Sequence, residues 1–259
     1  MIAAVVPAKS LSGAKSRLLR QLSRSAVERL CLAMLCDVVD ALRAVPALAK
    51  VVVVTPDEAV AAAARSAGAE VLLRPDPGLN AAIDAGAAIA APGADDGVLV
   101  VLGDVAGARS DEIGRLLRAL PGRGVALAAS RDGGTCALLR VPRDVIPAAF
   151  GRESARAHRE LAARAGVPCV ELDLPSLAID VDEPEDLAAL REGGGAGART
   201  RALLRELAAR AGVACVEPLL PSLAIDVDEP EDLATLRESG SAGARTQAIL
   251  RELAAAAPA

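Results

Sequence analysis

Short, uninterrupted runs of Val, Ile, Leu and Ala alternate along this chain with longer stretches whose apolar residues recur three and four positions apart. The runs at 2–6, 51–55, 70–73, 98–102 and 125–129 read as strands, and the stretches at 26–42, 57–67, 80–91 and 111–120 read as amphipathic helices. A strand that is apolar at every position has to be covered on both faces. The pattern therefore predicts a mostly parallel sheet with helices above and below, a Rossmann-like α/β domain. Ligands of such open sheets bind outside the carboxyl ends of the strands, so the loops that follow the strands are where chemistry is expected.

Composition narrows the partners. The 259 residues are 53% hydrophobic and 24% charged, enough for a sizeable core. The net charge of -5, with no Trp, no Tyr and one Phe, leaves neither a basic footprint nor stacking platforms, so no nucleic-acid partner is expected. Five cysteines without a Cys-x-x-Cys pair, and a single His158, argue against zinc and against a disulfide framework. The first 27 residues are basic and lack acids, as transit peptides do, yet the 2–6 run followed by Pro7 reads as a core strand. No apolar run reaches the roughly 18 residues of a membrane span, so no membrane partner is expected and the default location is the cytoplasm.

The loop after the first strand holds Lys9, Ser10, Gly13, Lys15, Ser16 and Arg17. Two of the chain's three lysines lie in it, which reads either as the place where a triphosphate would be held or as a solvated basic loop. Neither a Gly-x-Gly-x-x-Gly nor a P-loop pattern is present. Asp104 closes the 98–102 strand, and Asp180 and Asp182, two apart in an Ile-Asp-Val-Asp segment, would present paired carboxylates on one face. Three such oxygen ligands suit Mg²⁺, although Asp182 also reads as a helix start before Glu183-Pro184. Gly133 and Gly134 form a turn before Thr135, Cys136 reads as a small buried hydrophobe, and Gly151 to Ser154 open a helix ending near Ala165. Ser154 then reads as an N-cap or an anion contact, and His158, one turn on, as structural or solvated.

A repeat with an offset of 46 returns residues 159–167 as 205–213 and 176–187 as 222–233, with a third start at Arg251. Two copies and a fragment are too few for a solenoid and point to tandem duplication of the C-terminal end. The expected organisation is a domain over 1–205 and a duplicated appendage over 206–259, joined through the glycine-rich stretch 193–197.

The ordered set of Pro7 to Leu18, Gly78-Leu79-Asn80, Asp104, Gly133-Gly134-Thr135, Phe150-Gly151 to Ser154, His158 and Ile179 to Leu187 resembles the 2-phospho-L-lactate/phosphoenolpyruvate guanylyltransferase family across residues 1 to about 205. The resemblance implies a nucleotidyltransferase fold, transfer of GMP from GTP to a small phosphorylated C3 acid with release of pyrophosphate, and a place in coenzyme F-420 biosynthesis. It implies metal binding by Asp104, Asp180 and Asp182, acceptor contacts from Thr135, Gly151 and Ser154 with Gly78 and Asn80 beside them, and catalytic cations at Lys9, Lys15 and Arg17. Where the family favours Ala-Asp-Leu-Pro and Gly-Gly-Thr-Asn, this chain has Gly103-Asp104-Val105-Ala106 and Gly133-Gly134-Thr135-Cys136, the second change removing a polar group at the expected acceptor site. Alternatives are a nucleotidyltransferase with a sugar-phosphate or molybdopterin acceptor, or a decayed paralogue that binds nucleotide alone. The assembly considered is a homodimer, with the duplicated segment as a swapping element.

Overall fold

A computed structural model describes residues 1–130, 132–178, 181, 186 and 195–210, all within the compact unit Met1–Val216. The chain runs β1 (Ile2–Pro7), α1 (Arg24–Arg43), β2 (Val51–Thr55), α2 (Glu58–Ser66), β3 (Glu70–Leu73), α3 (Leu79–Ala90), β4 (Gly97–Val101), α4 (Ser110–Arg118), β5 (Gly124–Ala129), β6 (Thr135–Val141), α5 (Ser154–Arg164), β7 (Cys169–Glu171) and α6 (Ala198–Arg210). Every strand and helix expected from the periodicity is present, with boundaries shifted by a few residues at most. The strand β7 was not expected; it is three residues long and only partly buried.

Seven strands form one sheet in the order β3-β2-β1-β4-β6-β5-β7. β6 runs antiparallel to both its neighbours, while the pairings of β1 with β2 and β4, of β2 with β3, and of β5 with β7 are parallel. The continuous apolarity of β1, β2 and β4 has the predicted cause, for residues 3–6, 51–54 and 98–101 are all buried. On one face Leu35 and Val38 of α1, Val60 and Ala64 of α2, and Ile113 and Leu116 of α4 join one apolar core. On the other, Ile83 and Ala87 of α3 and Ala155 and Ala162 of α5 close over the sheet. α3 comes so near that a Cβ on Gly86 would lie 2.6 Å from a Val54 methyl.

The last described helix is held by a carboxylate from another element. Asp37 of α1, 7% exposed, accepts the backbone N–H groups of Arg199 (2.9 Å) and Thr200 (2.8 Å), donors that the first turn of α6 cannot satisfy internally. Arg199 also reaches Asp40 (3.1 Å) and Arg29 pairs with Glu206. Leu203 and Leu204 pack with Leu18, Leu30 and Met34. Two expectations change as a result. Ala196 is buried and the Gly197 N–H donates to the Ala106 carbonyl, so residues 195–197 of the stretch read as a linker are packed on the domain. The boundary placed between 205 and 206 falls inside α6. Replacing Asp37 with Ala would strand two N–H groups at a buried helix start, and chemical denaturation should show a loss on the order of 1–3 kcal/mol.

Candidate active site

The carboxyl ends of β1, β2, β3 and β4 open on a cavity of about 340 Å³. Its walls come from the loop after β1 (Lys9, Gly13, Lys15), from Cys31 and Leu35 of α1, from Thr55, from the β3–α3 loop (Arg74, Asp76) and from Gly103 and Asp104 after β4. A parallel sheet supplies this edge directly, because each strand there ends in a loop free to turn over the opening.

The basic loop is pinned at both ends. Asp57 uses one oxygen to cap α2 through the Ala59 (2.9 Å) and Val60 (3.2 Å) N–H groups, and the other to accept from the Leu11 N–H and the Ser10 hydroxyl, both at 3.0 Å. Partial burial alone would raise the Asp57 pKa, but the Leu11, Val60, Ser10 and Ala59 donors outweigh it and hold the carboxyl below its usual range. Further along, Lys15 sits in the left-handed region at φ 47° and ψ 48°, a conformation that costs a non-glycine residue about 1 kcal/mol. Its side chain is 8% exposed and its ammonium lies 3.0 Å from an Asp104 oxygen, so the loop cation meets the acid at the end of β4.

A second group of residues lies along the same edge because β6 is reversed. An antiparallel strand brings its first residue, rather than its last, to the carboxyl ends of its neighbours, and Leu102 N–H bonds to Cys136 O (3.1 Å), which sets Thr135 beside the turn carrying Asp104. Thr135, Ser154 and His158 are all buried. Ser154 Oγ donates to Thr135 Oγ1 (3.1 Å), Thr135 Oγ1 lies 3.1 Å from His158 Nδ1, and the Ala149 N–H donates to His158 Nε2 (3.1 Å). The Phe150 ring meets the imidazole edge-on at 5.1 Å. Burial, reinforced by the nearby Arg140 guanidinium, pushes the His158 pKa down to about 4. Asn80, just inside the start of α3, brackets the Phe150 peptide: its Oδ1 accepts the Phe150 N–H (2.8 Å) and its Nδ2 donates to the Phe150 carbonyl (3.1 Å).

Of the residues singled out from the sequence, Lys9, Lys15 and Asp104 line the cavity and Arg17, exposed, does not. Thr135 and Ser154 are bonded to each other, the Gly151 carbonyl accepts from the Ser154 N–H and Asn80 holds the neighbouring Phe150, whereas Gly78 stands apart as the residue before α3; Leu79 and Gly103 line the cavity. Asn80 is spent on the Phe150 backbone, which makes it a brace for the 150 loop. Ser154 does not cap α5: the cap position is Glu153, at φ 53°, and the Ser154 hydroxyl turns inward to Thr135. Cys136 is buried in the apolar core with Val101 and Leu139, as its reading as a small hydrophobe requires. Asp180 and Asp182 lie outside the described residues, and among the described residues no three His, Cys, Asp or Glu side chains are grouped to hold a metal. The sequence did not single out Asp57, Arg74 or Asp76; Asp57 had a visible signal, an Asp at the start of an amphipathic stretch, but not its second bond to a loop 46 residues away.

Comparison with known proteins decides the family. Residues 2–214 match the family described as "Guanylyl transferase CofC like". The chain belongs to the CofC-like guanylyl transferases. Within 196 aligned residues it is 41% identical to a phosphoenolpyruvate guanylyltransferase of Sphaerobacter thermophilus, covering 75% of this chain and 95% of that protein. It is 40% identical over 210 residues to a 3-phospho-D-glycerate guanylyltransferase of Phenylobacterium zucineum, covering 79% and 95%. Among solved structures, a nucleotidyl transferase from Methanothermobacter thermautotroptrophicus shares the fold at a TM-score of 0.55 and 21% identity, over 80% of this chain and 99% of that one. A cytidylyltransferase from Leptospira borgpetersenii does so at 0.53 and 13%, over 85% and 98%. The chain therefore has the fold of these nucleotidyltransferases, as the family resemblance implied. No helix among the described residues is long and apolar enough to cross a membrane.

Two measurements check this geometry. Asp57→Ala removes a helix cap and the anchor of the basic loop together, and should lower stability by about 1–2 kcal/mol in urea titration. His158 has a folded pKa near 4, below the roughly 6.5 of an unfolded histidine. Between these values the unfolded chain takes up a proton that the folded chain refuses, so this contribution to stability is whole above about pH 6.5 and falls away toward pH 4. Denaturation curves of wild type and His158→Gln at both ends of that window should draw together by on the order of 3 kcal/mol on acidification.

Proposed function

We propose that this chain transfers GMP from GTP to a small phosphorylated C3 acid, phosphoenolpyruvate foremost, and releases pyrophosphate, a step in coenzyme F-420 biosynthesis. The observation that carries this reading is the cavity at the carboxyl edge, walled by Lys9 and the Lys15–Asp104 pair and adjoining the Thr135–Ser154 cluster, in a chain whose curated relatives at about 40% identity are named as guanylyltransferases. The cavity takes the nucleotide, with the basic loop along its phosphates. The Thr135, Gly151 and Ser154 cluster takes the acid, so that the acid's phosphate faces the α-phosphorus across the Asp104 turn.

In the reaction an oxygen of the acceptor phosphate forms a bond to the α-phosphorus of GTP while the bond to the pyrophosphate oxygen breaks. An acceptor phosphate is already ionised near neutral pH, so no general base is needed, and Lys9 and Lys15 serve by neutralising charge and aligning the triphosphate, with Arg17 outside the cavity. Mg²⁺ is part of this reading, held by Asp104 with Asp180 and Asp182, and would neutralise phosphate charge. Two features fit such a donor set: Asp104 is a part-exposed carboxylate at a strand end, and Val181, between the other two acids, is buried with Leu18 and Ala106, which flank the basic loop and the Asp104 turn in the chain. We assign these roles to the first copy of the repeat, and not to Asp226 and Asp228 of the second.

The test is pyrophosphate release from GTP with phosphoenolpyruvate, 2-phospho-L-lactate or 3-phospho-D-glycerate supplied singly; the last is included because a 40%-identical relative is named for it. Release should require one of these acids and Mg²⁺, and should fall by about a hundredfold or more in Asp104→Ala and Asp180→Ala but not in Asp226→Ala or in a chain ending at Val216. Undiminished turnover in excess EDTA would rule out the metal. Tight GTP binding with no turnover on any acid would favour a nucleotide-binding protein without this activity.

A further inference from the structure

The hydrogen bonds around Thr135 leave its hydroxyl proton a single direction. The Ala149 backbone N–H can only donate, so His158 Nε2, 3.1 Å away, is the unprotonated nitrogen of the ring. In a neutral imidazole the proton then sits on Nδ1, and Nδ1–H donates to Thr135 Oγ1 at 3.1 Å. Ser154 Oγ–H donates to the same oxygen, also at 3.1 Å. A hydroxyl accepts two hydrogen bonds and donates one, so both acceptor positions of Thr135 are filled. No described residue accepts its remaining proton. His158 is fully buried and faces Phe150, Thr135 and the Ala149 peptide, with the Arg140 guanidinium as the nearby charge.

We propose that His158 is a positioning residue which, through its fixed tautomer, commits Thr135 to act as a hydrogen-bond donor toward the acceptor, so that the subsite selects an acceptor presenting an anionic carboxylate or phosphate oxygen over one presenting a group that can only donate, such as an amide N–H or an ammonium. The inference rests on the assignment of the acceptor to the Thr135–Ser154 cluster and adds what His158 does there. A group able only to donate would meet the Thr135 proton head-on, whereas an ionised oxygen accepts it in a charge-assisted bond. The same arrangement makes Ser154 part of the device, since its hydroxyl fills the second acceptor position.

This chain has one histidine, so imidazole ¹⁵N spectra of the intact protein report a single ring. They should show Nδ1 protonated and Nε2 unprotonated at pH 7; the opposite tautomer, or a charged ring, overturns the proposal. Steady-state kinetics in phosphoenolpyruvate at saturating GTP then separate positioning from mere support. Thr135→Val should raise the KM for phosphoenolpyruvate about tenfold to a hundredfold and leave that for GTP within about twofold, while Thr135→Ser restores most of the loss. His158→Asn keeps a donor where Nδ1 stands, and His158→Gln keeps an acceptor where Nε2 stands but loses the Thr135 donor. Both should melt earlier than wild type, yet only His158→Gln should carry the selective rise in the phosphoenolpyruvate KM. Equal effects of the two His158 variants, in step with their melting temperatures and on both substrates alike, would make His158 structural and overturn the proposal. An unchanged phosphoenolpyruvate KM in Thr135→Val would instead overturn the acceptor assignment beneath it.

Discussion

The antiparallel pairing of β6 with β4 is the constraint on which this arrangement turns. Four parallel strands alone would give an edge of four loops and one cavity. Inserting one reversed strand brings the start of β6 to that edge, so the tight turn before Thr135 lies beside the loop carrying Asp104. The loop from Ala149 to Glu153 and the first turn of α5 are then drawn in, through His158 to Ala149 and Thr135, through Ser154 to Thr135, and through Asn80 to Phe150. Each of these bonds joins residues from different elements, and the two made to Thr135 depend on β6 keeping its register; a slip by one residue would turn Thr135 to the other face of the sheet.

The two halves of the edge differ in how their polar groups are held. In the half that holds the cavity, charge is paired directly with charge, the Lys15 ammonium with Asp104 at 3.0 Å, and Asp57 fixes the loop upstream. That half is open, and its charges can be re-paired by a ligand. In the other half neutral groups are buried and joined in one hydrogen-bonded run from the Ala149 N–H through His158 and Thr135 to Ser154, which fixes directions instead of charges. A site that must bring two anions together needs both: cations to hold a triphosphate, and directional donors to hold the second anion without adding a further buried charge.

Much of this was legible in the sequence, for stated reasons. Burial of the sheet on both faces writes itself as uninterrupted apolarity, so β1, β2 and β4 could be read directly, and 3.6-residue spacing marked α1 to α4. The direction of β6 was not legible, because a buried strand has the same composition either way up. β7 was missed because three partly exposed residues at a sheet edge carry no period. The basic loop, Asp104, Thr135 and Ser154 were recognisable as members of an ordered set of motifs; the bond between Thr135 and Ser154 was not. Which residues brace and which face the opening was not, since that depends on contacts such as Asn80 with Phe150 and His158 with Ala149, made between positions that local sequence does not relate. Ser154 shows the limit: a serine opening a helix reads as a cap, and only the left-handed Glu153 before it turns the hydroxyl inward.

The central claim, that nucleotide and acceptor occupy adjoining halves of one edge and meet across the Asp104 turn, is tested most directly by a crystal structure with a GTP analogue that cannot be cleaved between the α- and β-phosphates, together with phosphoenolpyruvate. The account predicts the nucleotide in the cavity with its phosphates along Lys9 and Lys15, and an anionic oxygen of phosphoenolpyruvate within hydrogen-bond distance of Thr135 Oγ1. Phosphoenolpyruvate bound away from Thr135 and Ser154, or a triphosphate that bypasses Lys15 and Asp104, would contradict it.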